Sequence, residues 1–468
     1  MRNRYSSLIR GYLPTAGALV RTLHYSLIAV LLAGVLSITL PRPTWAAMAD
    51  PAGSAAPDDL LDAGGARRHV LAAAALPDAP HTDTWNALPN RGFLNGQVLA
   101  MAAAGDDLYV GGYFSQSGDG ALTNLGNIAR YDTVTKTWHA LPNQGVSSAV
   151  YALAVSGSDL YVGGYFSQTG DGVLTNLGSI ARYNTSTQTW HALPKQGLAN
   201  EVHTLAVLGK NLYVGGIISQ TGDGTITNLG NIIRYNMESA GWFLMPNQGF
   251  NHRVEALAVS GGNLYVGGFF NQTRDGALTN LGYLARFDGA FHALANQGLY
   301  SSAANGVRAL AIEGSNLYVG GGFTQTGDGT LTNLGRIARY GISSNTWSAL
   351  PKHGLNDTVF ALAVDGVELY VGGYLTQTGD GTLTNLGRIA CFNTAGNSWS
   401  ALPNQGLGAD GAGVCRVDVL KMDGSDLFVG GGCTNTGDGS LAELGGIARY
   451  GIADAPEGAA YLPLVVRQ

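Results

Sequence analysis

The chain has 468 residues, 69 of them glycine and 12% charged, with a net charge of −6. Glycine is about twice and charge about half the usual share, while aromatic and β-branched residues are plentiful, which excludes a disordered chain. No basic cluster occurs in the body of the chain, which argues against nucleic acid as a partner.

Residues 1–49 read as an export signal. Arg2, Arg4, Arg10 and Arg21 form a positive leader, an apolar run follows over Leu27–Leu40, and Ala47-Met48-Ala49 is a small-x-small cleavage pattern. The apolar run is shorter than the roughly 20 residues of a membrane span, so no span is expected after cleavage. Residues 50–82 are rich in Ala, Pro, Gly and Asp and read as a linker, with a short helix expected near Asp58–Ala75.

From residue 83 to 452 one text recurs. LYVGG begins at Leu108, Leu160, Leu212, Leu264, Leu317 and Leu369, and LFVGG at Leu427. Seven copies at a near-constant period mean a repeat architecture. Each copy holds four strand-like runs between turn residues, for example Val150–Val155, Leu160–Phe166, Ile180–Tyr183 and Trp190–Leu193. Four strands per unit at this period predict an all-β fold, a seven-bladed β-propeller with four-stranded blades. The fourth-strand text occurs first, at Trp85, and is missing after Ile447–Tyr450. The N-terminal strand is therefore expected to close the last blade. Residues 453–468 form an apolar tail, ending AYLPLVVRQ, that reads as an anchoring signal or a docked strand.

The doublet Gly163-Gly164, then Tyr183, then Trp190 seven residues on, resembles the kelch repeat. The Tyr-to-Trp step recurs at Tyr131/Trp138, Tyr235/Trp242 and Tyr340/Trp347, and as Phe392/Trp399. One copy departs, with Phe287 and Phe291 on a shorter loop. The long QTGDGxLTNLG insert is untypical of kelch and is more similar to kelch-related repeats of secreted bacterial proteins. The resemblance implies a propeller. It also raises copper-oxidase chemistry of the galactose-oxidase type, but no cysteine lies in a motif like that enzyme's cross-link site. His139, His191 and His292 share one recurring position and read as architectural.

Three further features bear on function. The Asp-Gly pairs at Asp119, Asp171, Asp223, Asp275, Asp328, Asp380 and Asp438 are turn signals, with Asn124, Asn176, Asn228, Asn280, Asn333 and Asn385 as second turn-formers. Calcium is the alternative for these loops, but it needs six to eight oxygens and each loop supplies one Asp. No metal site or cofactor is otherwise expected. Cys415 and Cys433 flank the turn Asp423–Asp426 at nearly equal distances and form a candidate disulfide, whereas Cys391 replaces an arginine of IARY and reads as a buried free thiol.

The last feature is a set of positions that the repeat does not fix. The residue after the first-strand valine is Leu99, Tyr151, His203, Glu255, Arg308, Phe360 and Asp418 in turn, between neighbours that recur. Innermost strands line a propeller's channel, so Tyr151, His203, Glu255, Arg308, Phe360 and Asp418 are expected to ring its mouth and contact a ligand, as convergent polar groups beside apolar faces do. No catalytic motif stands out. The reading is a secreted or cell-surface monomer acting as a binding scaffold for an extracellular protein or glycan. The alternatives are an extracellular propeller enzyme, a lyase or hydrolase acting on glycans, and a structural cell-envelope protein.

Overall fold

The computed structural model describes residues 83–302, 305–409 and 415–451. The expected export signal, the expected linker and short helix, and the C-terminal tail lie outside these residues. Among the described residues, no helix is long and apolar enough to cross a membrane.

Seven four-stranded antiparallel sheets form the blades of a β-propeller. Blade two is typical: Val150–Ser156, Asp159–Gly164, Ile180–Asn184 and Thr189–Ala192, paired in that order. The four runs expected from the sequence are thus present, with ends shifted by a residue or two. The first strand of each blade contacts the first strand of the next, and that of blade seven contacts that of blade one.

Blade seven is closed by the N-terminal strand. Thr84–Ala87 pairs antiparallel with Ile447–Gly451, placing Trp85 opposite Tyr450. Closure leaves blade seven with the same four strands as the others, so Ile447–Gly451 is paired on both sides rather than left as a sheet edge.

The first glycine of each doublet is explained by packing between blades. A Cβ on Gly163 would lie 2.4 Å from Val202 Cγ1 of the next blade, and one on Gly430 would lie 2.5 Å from Val98 Cγ1 across the closing seam. Only glycine lets two sheets approach this closely. Each blade then seals an apolar cluster with its neighbour, such as Tyr161, Ile180 and Leu193 of blade two with Val202, Leu212 and Val214 of blade three.

The Tyr–Trp step of seven makes a cross-strand pair. Tyr183 opposes Trp190, with ring centroids 5.0 Å apart. The departing copy keeps the pair, Phe287 opposite Phe291, with a shorter turn. Trp190 Nε1 also donates to the Pro142 carbonyl of the preceding blade's exit turn at 3.0 Å. Trp242, Trp347, Trp399 and Trp85 make the same bond one blade on each. Phe291 has no indole N–H and cannot.

The recurring inserts are latches between blades. Asp171 Oδ1 accepts from Thr169 Oγ1 and from the Val173 amide, and Oδ2 accepts from Asn143 Nδ2 in the exit turn of the preceding blade. Asn124, Asn176, Asn228, Asn280, Asn333 and Asn385 all take positive φ, as does Glu443 at the same place in blade seven, which is the left-handed conformation asparagine tolerates best. Short bridges also join each exit segment to the next blade's insert, for example Val146 to Thr169. The sequence did not announce these bridges.

Candidate functional site

The seven variable positions share one local geometry. In every blade the pairing of first and second strands slips at that residue: between Val98 and Ala100, Val150 and Ala152, Val202 and Thr204, Val254 and Ala256, Val307 and Ala309, Val359 and Ala361, and Val417 and Val419. Each is a β-bulge, which leaves one residue unpaired and re-aims its side chain. The flanking residues are held by the ladder between blades, with Val202 fully buried, while the bulged residues are half-buried.

The bulged side chains meet those of the next blade. Tyr151 and His203 are edge to face, with centroids 5.6 Å apart. His203 Nδ1 lies 3.1 Å from Glu255 Oε2. The Arg308 guanidinium lies 4.7 Å from the Phe360 ring centre. Asp418 Oδ2 accepts from Gln97 Nε2 of blade one at 2.8 Å. Tyr151, His203, Glu255, Arg308, Phe360 and Asp418 therefore lie along one inner ring of consecutive blades. Leu99 occupies the remaining bulge.

Two further tiers, not singled out in the sequence, complete the network. Two residues before the bulge stand Gln97, Glu201, Arg253 and Arg416. His203 Nε2 lies 2.9 Å from Glu201 Oε2. Arg253 Nε lies 2.6 Å from Glu255 Oε1, a charge contact whose angle is not that of a hydrogen bond. Arg416 pairs with Asp418. After each glycine doublet comes the third tier, including Phe269 and Tyr374. Phe269 lies 3.9 Å below the Arg253 guanidinium, and Tyr374 lies 5.4 Å from Phe360. Both tiers vary from copy to copy between recurring neighbours, the same signal that marked the bulge.

The electrostatics follow from burial and pairing. Burial pulls the His203 pKa down, but hydrogen bonds and charge from Glu255 and Glu201 outweigh it and hold it above the ordinary imidazole value. Burial pushes the Glu255 carboxyl up, but His203, Arg253 and Arg308 outweigh it and hold it below the usual range. The two shifts agree: His203 and Glu255 form an ion pair. Burial raises the Asp418 carboxyl despite Arg416, Gln97 and Arg308 beside it. Both ring nitrogens of His203 are engaged by carboxylates.

The other candidate residues are not members of this network, although Cys415 directly precedes Arg416 in the chain. Cys415 and Cys433 are joined in a disulfide just outside the first hairpin of blade seven, their Cα atoms 4.4 Å apart. Cys391 is a buried free thiol near Glu368. In the loops considered for calcium, the carboxylates are engaged within the protein. Asp119 is drawn down to about 2 by hydrogen bonds from Ser117, the Ala121 amide and Asn90. Among the described residues, no group of three or more His, Cys, Asp or Glu is placed to hold a metal ion.

No protein-family model matches the chain. Over 172 residues, 34% of this chain, it is 27% identical to Polarized growth protein rax2 of Schizosaccharomyces pombe, covering 14% of that protein. Over 84 residues, 18% of this chain, it is 36% identical to Polarized growth protein L1 of a Phoma species, covering 6% of it. The chain thus spans a small part of the length of these curated relatives. Among solved structures, the WD40 β-propeller domain of Doa1 superposes with a TM-score of 0.47 at 10% identity, covering 81% of this chain and 100% of that one. The computationally designed Ika8 protein gives 0.44 at 14% identity, covering 78% and 98%.

Proposed function

We propose that the protein is a secreted or cell-surface propeller of kelch-like repeats whose channel mouth binds a small polar ligand or a loop of an extracellular partner. One observation carries the reading. Seven bulges at equivalent places direct the residues that the repeat leaves free toward one ring, and all of them but Leu99 join a polar and aromatic network. Variable polar groups that converge on a preformed scaffold are how binding sites are built. The relatives are named for polarized growth, a process rather than a reaction, which sits better with a scaffold than with an enzyme. The export-signal pattern of residues 1–49 supports the extracellular assignment, and on this reading the protein acts as a monomer.

The test is an unbiased glycan-array and metabolite screen on the full chain, repeated with a Glu255→Ala/Arg308→Ala double mutant. The mutant should keep its fold and lose the binding found. Binding that survives in the folded mutant moves the site elsewhere.

A second reading, an extracellular enzyme acting on glycans, rests on the Glu201–His203–Glu255 cluster at the mouth. The scaffold reading is preferred because both imidazole nitrogens are already engaged, leaving neither free to take a substrate proton. Release of products from polysaccharide by the wild type, and not by His203→Gln, would reverse that preference.

A further inference from the structure

Six side chains from blades four to seven form an alternating stack of cations and rings at the mouth. In order they are Arg253, Phe269, Arg308, Phe360, Arg416 and Tyr374. Successive guanidinium-to-ring distances are 3.9, 5.0, 4.7, 4.5 and 5.5 Å. Phe269 and Phe360 each lie within cation–ring distance of two guanidiniums. Cation–ring attraction favours each contact, but three like charges in one stack repel unless anions stand beside them.

Two of the three arginines have their anion. Arg253 is paired with Glu255 and Arg416 with Asp418. The central one does not. Among the described residues, Arg308 has no carboxylate at ion-pair distance and no hydrogen-bond acceptor, and its Nε is buried without a partner. Burial, with Arg253 and Arg416 on either side, weakens its hold on its proton, and the more distant Glu255 and Asp418 only offset this.

Phe269 and Phe360 both lie within cation–ring distance of the Arg308 guanidinium, and its N–H edge is what it can offer a ligand. A guanidinium edge offers parallel N–H donors that match a planar carboxylate. The charge count points the same way. The mouth holds three arginines against Glu201, Glu255 and Asp418, with His203 held toward its charged form, so one further single negative charge balances it. A doubly charged phosphate would instead face three carboxylates.

We infer that Arg308 is the anion-reading residue of the mouth and that the ligand presents a carboxylate to its edge. The inference rests on the proposed binding role of the mouth. The repeat pattern marks Arg308 only as one of six ligand-contact positions, and neither it nor the relatives assign it an anion.

The experiment is a titration of the full chain with acetate, glucuronate, neutral glucose and inorganic phosphate, read by calorimetry and ligand-detected NMR. The variants are Arg308→Met, which keeps the stem and drops the charge, and Arg308→Lys, which keeps the charge and drops the fork. Melting curves check the fold of each. Saturable binding of both carboxylates and not of glucose is expected. Arg308→Met should weaken it about tenfold or more, the loss of one charge-assisted hydrogen-bonding group. Arg308→Lys should recover only part.

Equal carboxylate binding by wild type and a folded Arg308→Met would overturn the inference. So would phosphate binding as tight as carboxylate, or no carboxylate binding at all. A screened neutral ligand lost in Tyr151→Ala but kept in Arg308→Met would sink the carboxylate inference alone. A screened ligand indifferent to every mouth substitution would sink the binding reading itself.

Discussion

Trp85 lies opposite Tyr450 in the ladder of blade seven, their rings 5.2 Å apart, although they sit near opposite ends of the propeller sequence. Trp85 is buried, and its Nε1 donates to the Pro403 carbonyl of blade six at 3.0 Å. The N-terminal strand thus joins blade seven by its backbone and blade six by its indole. Trp85→Ala should cost about 3–5 kcal/mol, the usual range for a buried tryptophan. Denaturant unfolding of the two chains measures this. A change within the error of the fit would mean that the ring does not depend on this closure.

The ion pair at the mouth should give stability a pH signature. His203 has a raised pKa, so its contribution is complete below its unfolded value of 6.5 and is lost as pH rises through the higher folded value. Glu255 has a lowered pKa, so its contribution is complete above its unfolded value of 4.5 and is lost as pH falls through the lower folded value. The difference in melting temperature between wild type and His203→Gln should therefore be greatest between 4.5 and 6.5 and shrink on either side. A difference that is flat with pH would contradict the pair.

The thiols should count unequally. Unfolded without reductant, the chain should offer one reactive thiol, Cys391, and after reduction three. The bond between Cys415 and Cys433 spans a separation of 18 residues. Cys415→Ser/Cys433→Ser should lose roughly 3 kcal/mol, the constraint such a loop places on the unfolded chain. Three reactive thiols before reduction would contradict the pairing.

Arg308→Met should leave stability nearly unchanged, within about 1 kcal/mol. The substitution gives up cation–ring contacts worth about 0.5–1 kcal/mol each near a surface and relieves a buried, unpartnered N–H that is costly to keep. A residue held by an internal ion pair would behave otherwise, with losses of about 3–5 kcal/mol on removal of one partner. Unfolding in urea separates the two cases.

Much of the fold was legible in the sequence because the repeat states it seven times. The spacing of LYVGG determined the number of blades, and the displaced Trp85 text determined which strand closes the ring. The variable residue after each first-strand valine marked the bulge of each blade, since a position free of the packing between Gly163 and Val202 is free to differ. What the spacing did not carry was the meeting of side chains from different blades. Arg253, Phe269, Arg308, Phe360 and Arg416 are scattered over more than 150 positions of the chain. Only ring closure and the seven bulges bring them into one stack. Which of three arginines lacks a carboxylate depends on contacts of a few ångströms across blade boundaries, and those are properties of the packed ring rather than of any one repeat.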